Sequence, residues 1–287
     1  MYPPEFEYYR ASSIAEALSL LGQHSGAKVL AGGHSLIPAM NIRLADPGIL
    51  IDIGRVGELR GISAGDGSVR IGALTTHATI AASNQVPRAL SEAAGKIGDP
   101  QVRNRGTIGG NIANADPGSD LPTVLTALGA TIHITSAAGD RALAASDFFI
   151  GSLETALQED EIVTAIEVPM SEPGSGSAYA KLANPASRYA MVGVAATVTM
   201  ANGRCTNAGL AVGGLTPAAT RAESVETVLV GKTLNPEIIA AAAEAVQNDL
   251  SDDILDDIHA GAEYRKSMAT VLVKRAITTA MQRAKAH

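Results

Sequence analysis

Two short glycine stretches have the composition of a binding site for an anion. Each follows an apolar run and leads into polar residues: the first is Ala31-Gly32-Gly33-His34-Ser35, the second Thr107-Ile108-Gly109-Gly110-Asn111. Glycine tolerates positive φ and lets a ligand approach the main chain, so successive N–H groups can point into one concavity. Hydroxyls at Ser35 and Thr107 add donors. Two such stretches predict a clamped diphosphate, and hence a dinucleotide; the alternative is two ordinary turns.

The residue types and their spacing argue against other common nucleotide, metal and redox sites. Neither glycine stretch contains G-x-G-x-x-G or G-x-x-x-x-G-K-[ST], which argues against a Rossmann or P-loop site. Cys205 is the single cysteine, so this chain alone holds neither a disulfide nor an iron–sulfur cluster, which needs about four thiolates. The six histidines show no metal-ligand spacing. We predict no metal and no catalytic residue of the chain's own.

Composition excludes further classes of function. The net charge of −7, without a Lys/Arg cluster, argues against a nucleic-acid partner. No apolar run approaches the roughly 18 residues of a membrane span, and the first residues, MYPPEFEYYR, do not resemble a signal peptide. We therefore predict a soluble cytoplasmic protein.

The elements around the first glycine stretch form a small lobe. Ser13 and Glu16 make a capping-box pattern that predicts a helix to about Gly22. Apolar runs at 28–31 and 49–53 predict strands, the first of which delivers the glycine stretch.

The second glycine stretch belongs to a larger mixed lobe. Strands are predicted at 69–74, 130–136 and 161–168, and helices from residue 75, at 88–97 and from residue 119. The Pro/Gly/Ser segment 171–177 predicts a linker. Beyond it, a hairpin turning at Asn202-Gly203 joins strands at 190–200 and 206–213, and helices are predicted at 235–249 and 259–285. The fold class is α+β, with lobes at 1–55 and 56–172 and a C-terminal sheet-plus-helices domain at 178–287.

Polar side chains near the glycine stretches are candidates for fixing the ligand. Asn111, Asn114, Ser119 and Asp120 follow the second stretch, and the Asp120 carboxylate could accept hydrogen bonds from ribose hydroxyls or an adenine amino group. The alternative role of Asp120 is a helix cap. His34 is expected to donate a hydrogen bond rather than transfer a proton. Arg103 and Arg105 add positive charge beside the second stretch, unless they are plain surface arginines.

At this point the chain resembles a known family. The stretches KVLAGGHSLIPAM at 28–40 and QVRNRGTIGGNIANADPGSDLP at 101–122 are similar to the two FAD-binding motifs of the medium subunit of molybdenum hydroxylases. The resemblance is to the aerobic carbon monoxide dehydrogenase type, within the xanthine dehydrogenase family. It covers nearly the whole chain, without departure in either motif. It implies a two-lobed FAD-binding domain of the vanillyl-alcohol-oxidase/PCMH type and a carbon monoxide dehydrogenase flavoprotein-like C-terminal domain.

The resemblance also implies specific contacts. FAD is expected to contact Lys28, Val29, Leu30, Ala31, Gly32, Gly33, His34, Ser35, Leu36, Ala73, Val102, Gly106, Thr107, Gly110, Asn111, Ser119, Asp120, Ile162 and Lys181. Gly109, Asn114 and Tyr189 are also expected to contact FAD, but on the basis of their residue types and places in this sequence rather than of the resemblance. A lysine near the flavin ring favours negative charge on the reduced ring, whereas a solvated edge lysine is the alternative for Lys181. Tyr189 could shield the ring or be an ordinary core tyrosine.

The function implied is that of an FAD-binding electron-transfer subunit of a heterotrimeric molybdenum hydroxylase. Its partners are expected to be an iron–sulfur small subunit and a molybdenum-cofactor large subunit, arranged as a dimer of heterotrimers. A self-sufficient FAD oxidoreductase and a non-redox module that binds a phosphate-containing ligand are the alternatives. The substrate of the whole complex stays open among carbon monoxide, an aldehyde and an N-heterocycle, and the external electron acceptor is open as well.

Overall fold

The first part of the chain forms a small lobe around a parallel sheet. The computed structural model describes residues 2–286. The lobe contains β1 (Glu7–Arg10), α1 (Ile14–Gln23), β2 (Lys28–Leu30), α2 (Leu36–Asn41) and β3 (Ile49–Asp52), with strand order β1-β3-β2. Ser13 caps α1 as predicted, because its side chain accepts a hydrogen bond from the Glu16 N–H. The strand β2 therefore ends where the first glycine stretch begins.

The second lobe is a five-stranded sheet with helices packed on one face. Its strands are β4 (Ile62–Gly65), β5 (Ser68–Gly72), β6 (Thr131–Ser136), β7 (Gly139–Ala144) and β10 (Ile162–Pro169), in the order β4-β5-β10-β6-β7. Its helices are α3 (His77–Ala82), α4 (Arg88–Lys96), α5 (Pro100–Arg105), α6 (Ile108–Asn114), α7 (Asp120–Ala127) and α8 (Ala145–Phe148). A small hairpin pairs β8 (Phe149–Gly151) with β9 (Glu154–Thr155). Alternate residues such as Val69 and Ile71 enter the core beneath the helices.

The C-terminal domain is an antiparallel sheet covered on both faces. It consists of β11 (Ser175–Ala183), β12 (Ala190–Ala201), β13 (Arg204–Gly213), β14 (Thr220–Arg221), α9 (Glu223–Leu229), α10 (Pro236–Ala245) and α11 (Ala262–Lys285). Helix α11 packs on one face of this sheet and α7 on the other. Gly209 permits the second contact, because a Cβ there would clash with the Ala127 carbonyl of α7. This packing brings the start of α7 close to β11.

Several sequence predictions are confirmed and others need correction. The hairpin turn is confirmed, since Asn202 and Gly203 have φ of 51° and 75°. The predicted linker 171–177 is wrong in its second half, because β11 begins at Ser175. Gly176 allows β11 to pack closely on α11, because a Cβ at this position would clash with backbone atoms of α11. The pair Gly109-Gly110 lies inside α6 rather than in a loop.

Several short elements were not predicted from the sequence: β1, α2, β4, α5, α6, β7, α8, β8, β9, β14 and α9. The predicted domain limits stay a prediction: two of the three larger sheets lie within them, whereas β11 of the third begins at Ser175, before the predicted limit at residue 178. No helix within residues 2–286 is long and apolar enough to cross a membrane.

Candidate functional site

The first glycine stretch presents a row of unused backbone donors. Among residues 2–286, no hydrogen-bond acceptor is found for the N–H groups from Gly32 to Leu36. Gly33 has φ of +75°, which a residue with a side chain rarely adopts. His34 and Ser35 are exposed, so this part of the main chain is open to a ligand. Consecutive free N–H groups through a left-handed glycine form the kind of concavity that binds an anion.

The glycine pair of the second glycine stretch does not present free backbone donors, in contrast to the interpretation from the sequence. Thr107 caps α6, and its Oγ1 accepts a hydrogen bond from the Gly110 N–H at 3.3 Å. The Gly109 N–H donates to the Ala73 carbonyl at 2.8 Å. The donors of the glycine pair are therefore largely used within the protein. Gly109 is buried against Ala73, whereas Gly110 is exposed, so Gly110 contributes open space for a ligand.

The fold brings the two stretches together where the two lobes meet, and this junction is called the cleft below. A Cβ on Gly32 would clash with the Arg105 carbonyl and would lie 3.0 Å from Cα of Gly106. A Cβ on Gly110 would lie 3.6 Å from Cβ of Ala31. The main chains thus touch at their glycines, and the free donors of the first stretch lie beside the exposed start of α6.

Asp120 is the centre of a buried polar cluster at the end of the second stretch. It is the first residue of α7, and Ser119 holds the cap position, so the alternative role of Asp120 as a helix cap is not observed. The Asp120 carboxylate accepts hydrogen bonds from Tyr179 Oη at 2.5 Å and from Lys181 Nζ at 2.8 Å. Burial raises the pKa of Asp120, and the neighbouring Lys181 ammonium and Tyr179 hydroxyl oppose that rise. Lys181 is consequently a buried ion-pair partner and not a solvated edge lysine.

Sequence reasoning identified Asp120 and Lys181 but missed Tyr179. The available signal was the strand period: residues two apart on a strand point to the same face, and Tyr179 precedes Lys181 by two. Ser119 joins the cluster to the second stretch, because its hydroxyl donates to Asn111 Oδ1 at 2.8 Å. The cluster therefore borders the same cleft.

Tyr189 covers the segment that leads into α7. Its side chain is 47% exposed, and its ring packs on Gly118, where a Cβ would lie 3.0 Å from Tyr189 Cδ1. Partial burial and the nearby carboxylates of Asp116 and Asp120 raise the pKa of the Tyr189 hydroxyl. Tyr189 is therefore not an ordinary core tyrosine. It is a partly exposed aromatic ring at the surface, of the kind that can stack on a ligand.

Other residues predicted to contact FAD lie away from the Asp120 cluster or pack in the hydrophobic core. Ile162 is buried in the core of the first lobe beside Ile51 and Leu74. Lys28 is exposed on β2, Val29 packs against the same core, and Val102 is half-buried on α5. Asn114 is half-buried and makes no side-chain hydrogen bond within the described part of the chain. These contacts stay predictions.

Two further residues near the cleft have roles that the sequence did not reveal. Arg103 donates hydrogen bonds to the carbonyls of Ile97 and Gly98, both at 2.9 Å, and so closes the end of α4. His77 is buried beside Gly106, and its Nδ1 has no hydrogen-bond partner among residues 2–286. Burial, with the charges of His34 and Arg103, lowers the pKa of His77 to about 4. The imidazole is therefore neutral near pH 7.

Together, the row of free N–H donors where the two lobes meet and the following sheet-and-helix domain have the features of a protein with a two-lobed site for a phosphate-containing ligand. Residues 4–171 match the family model described as the FAD binding domain in molybdopterin dehydrogenase. Residues 177–280 match the carbon monoxide dehydrogenase flavoprotein C-terminal domain. The chain belongs to this family of FAD-binding oxidoreductase subunits.

Individual relatives agree over almost their full length. The chain is 40% identical over 287 residues to the carbon monoxide dehydrogenase medium chain of Hydrogenophaga pseudoflava, with 99% of each protein covered. It is also 40% identical to the glyceraldehyde dehydrogenase medium chain of Sulfolobus acidocaldarius, covering 96% of this chain and 98% of the relative. A solved structure of the Hydrogenophaga pseudoflava carbon monoxide dehydrogenase superposes with a TM-score of 0.94 at 42% identity, with 99% of both chains covered.

Proposed function

We propose that this chain holds one non-covalent FAD in the cleft between its two lobes and transfers electrons as the medium subunit of a molybdenum hydroxylase. The observation that carries the proposal is the row of free N–H groups from Gly32 to Leu36 beside the exposed Gly110. An anion there would receive hydrogen bonds that the protein leaves unmade, so the donor set fits the diphosphate of FAD.

The remaining contacts are assigned by their place along the cleft. The first stretch and the start of α6 would hold the diphosphate. Asp120, Lys181 and Tyr189 would lie toward one end of the ligand, where hydrogen-bonding groups and a flat aromatic ring are available. The other predicted contacts, including Asn111, Asn114, Ala73, Val102 and Ile162, belong to the same proposal.

When bound, FAD supplies the capacity to exchange one or two electrons, and the chain supplies binding and tuning. The first stretch donates hydrogen bonds to negative oxygens and positions the ligand. Tyr189 excludes water from the surface on which it stacks. The ammonium of Lys181 is compensated by Asp120, so this pair offers fixed hydrogen-bonding groups with little net charge.

We infer that the partners are an iron–sulfur small subunit and a molybdenum-cofactor large subunit, in a cytoplasmic dimer of heterotrimers. The single cysteine supports this division of labour, because this chain alone cannot ligate an iron–sulfur cluster. Relatives equally similar to this chain are named for carbon monoxide and for glyceraldehyde. The residues that select the substrate therefore lie outside the medium chain.

The identity of the ligand is directly testable. We expect the purified chain to show a flavin spectrum and to release intact FAD on denaturation, because the free N–H groups from Gly32 to Leu36 lie beside the open space at Gly110. Mass spectrometry of the supernatant and of the protein checks this. Release of FMN, a flavin retained on the denatured polypeptide, or a colourless protein that fails to take up added FAD would each contradict the proposal.

Assembly provides a second test. We expect the isolated FAD-loaded chain to oxidise neither carbon monoxide, nor an aldehyde, nor an N-heterocycle, and to become reduced only by strong artificial reductants. Its flavin should be reduced by substrate only when both partner subunits are present. Stopped-flow absorbance of the isolated chain and of the reconstituted complex measures this difference. Equal rates in the two samples would favour the self-sufficient oxidoreductase.

A further inference from the structure

Tyr179 joins two charged pairs that come from different elements. Its hydroxyl donates to Asp120 at 2.5 Å, and Asp120 is paired with Lys181. Its backbone N–H lies 3.4 Å from Oε2 of Glu92, which is bound by Arg283 of α11. Tyr179 is only 3% exposed. One residue of β11 therefore links α4, α7 and α11.

Lys96 adds positive charge to this cluster. Its Nζ donates to the Tyr179 carbonyl at 2.8 Å and lies 5.4 Å from the centre of the Tyr179 ring. Lys181 Nζ in turn approaches the Lys96 carbonyl at 3.3 Å. Lys96 has no carboxylate within ion-pair distance among residues 2–286, whereas Asp120 and Glu92 each have a cationic partner. Arg88 also lies 3.5 Å from Glu92, so the cluster has four cationic and two anionic side chains.

The neighbouring strand leaves space for the Tyr179 hydroxyl. Gly193 of β12 lies directly opposite Lys181 in the sheet. A Cβ on Gly193 would lie 2.5 Å from Tyr179 Oη, closer than real atoms approach. The glycine is therefore required for the hydroxyl to reach Asp120.

We propose that Tyr179 is a positioning residue that keeps Asp120 ionised and immobile, so that Lys181 is held in one place and electrically neutralised beside the bound flavin. This inference rests on the proposed function. A buried carboxylate needs hydrogen-bond donors to remain charged, and Asp120 has two, Lys181 and Tyr179.

Loss of the Tyr179 donor has a defined electrostatic consequence. Burial already raises the pKa of Asp120, and removal of the hydroxyl raises it further. The groups that face Asp120 are Lys181 and Tyr179 from β11, Lys96 from α4 and, at greater distance, Tyr189. Once Asp120 is protonated, the positive charge of Lys181 is uncompensated. A positive charge beside a flavin favours its reduced, negatively charged form.

The test uses the full-length chain loaded with FAD. The variants are Tyr179→Phe, which removes only the hydroxyl, and Gly193→Ala, which displaces it. Gly209→Ala is the matched control, because Gly209 lies in the same sheet as Gly193. Its Cβ would clash with the Ala127 carbonyl of α7 and with the Thr197 side chain, away from Asp120. The flavin reduction potential is measured from pH 5 to 9, together with the dissociation constant for FAD and the thermal unfolding temperature.

In Tyr179→Phe and Gly193→Ala, we expect Asp120 to become protonated at a higher pH than in the wild type. Below that pH, the flavin reduction potential of each variant should be more positive than that of the wild type. FAD should dissociate about fivefold more readily. Gly209→Ala should unfold at a lower temperature but follow the wild-type potential. Adding Asp120→Asn to Tyr179→Phe should remove the new pH dependence.

Wild-type potentials in both Tyr179→Phe and Gly193→Ala would overturn the inference while leaving the FAD proposal intact. Should Tyr179→Phe fail to fold, Gly193→Ala carries the same expectation and decides alone. A wild-type chain that binds no FAD would overturn both proposals.

Discussion

Gly110→Val should abolish FAD retention while the chain stays folded. Gly110 is exposed in the first turn of α6 and faces Ala31 of the first glycine stretch. A valine side chain would fill the point at which the two stretches approach each other and exclude the ligand. We expect the dissociation constant for FAD to rise at least about 100-fold, equivalent to about 2.7 kcal/mol. Flavin content after gel filtration and titration of the apoprotein with FAD measure the effect.

Gly95→Val is the matched control for this substitution. Gly95 is also an exposed glycine within a helix, and a Cβ there meets only Cβ of Ala81, at 3.8 Å. Both variants place a weak helix former in a helix, and Gly110→Val should also unfold at a somewhat lower temperature, because its Cβ would lie 2.9 Å from Oγ1 of Thr107, which caps α6. Only Gly110→Val should lose the flavin. Normal flavin content in that variant, or equal loss in both, would contradict the assignment of the cleft.

Asp120→Leu should destabilise the folded protein by about 3 to 5 kcal/mol. The side chains of Lys181 and Asp120 are only 3% and 4% exposed, so the substitution leaves an ammonium buried without its counter-charge. It also leaves the Tyr179 hydroxyl without its acceptor. Urea unfolding of the apoprotein, followed by circular dichroism, gives the free energy of unfolding.

The double variant Asp120→Leu with Lys181→Met tests the cause of this loss. Removing both charges avoids the uncompensated ion, and apolar replacements of buried pairs are often close to neutral. We expect most of the stability to return in the double variant. If the double variant is as unstable as Asp120→Leu alone, the buried charge is not the source of the destabilisation.

Much of the local structure was predictable because local chemistry determines it. The Ser13 cap, the turn at Asn202-Gly203 and the strand that precedes Gly32 were all recognised from neighbouring residues. Short helices such as α5 and α6 were missed, since six or seven residues, fewer than two turns, are too few to show a periodic pattern. The segment at Gly176 was misread because glycine serves both flexible linkers and close packing.

The sequence by itself determined the two glycine stretches, most of the longer elements and the family resemblance that the comparisons confirmed. These features depend on residue type and short-range spacing, which the linear chain contains. Only the tertiary structure decided that Gly32 touches Arg105 and that Asp120 meets Tyr179 and Lys181. It also decided that the Gly109 N–H is used inside the protein. Such contacts join residues far apart in the chain, and packing between whole elements, rather than local preference, selects which of them form.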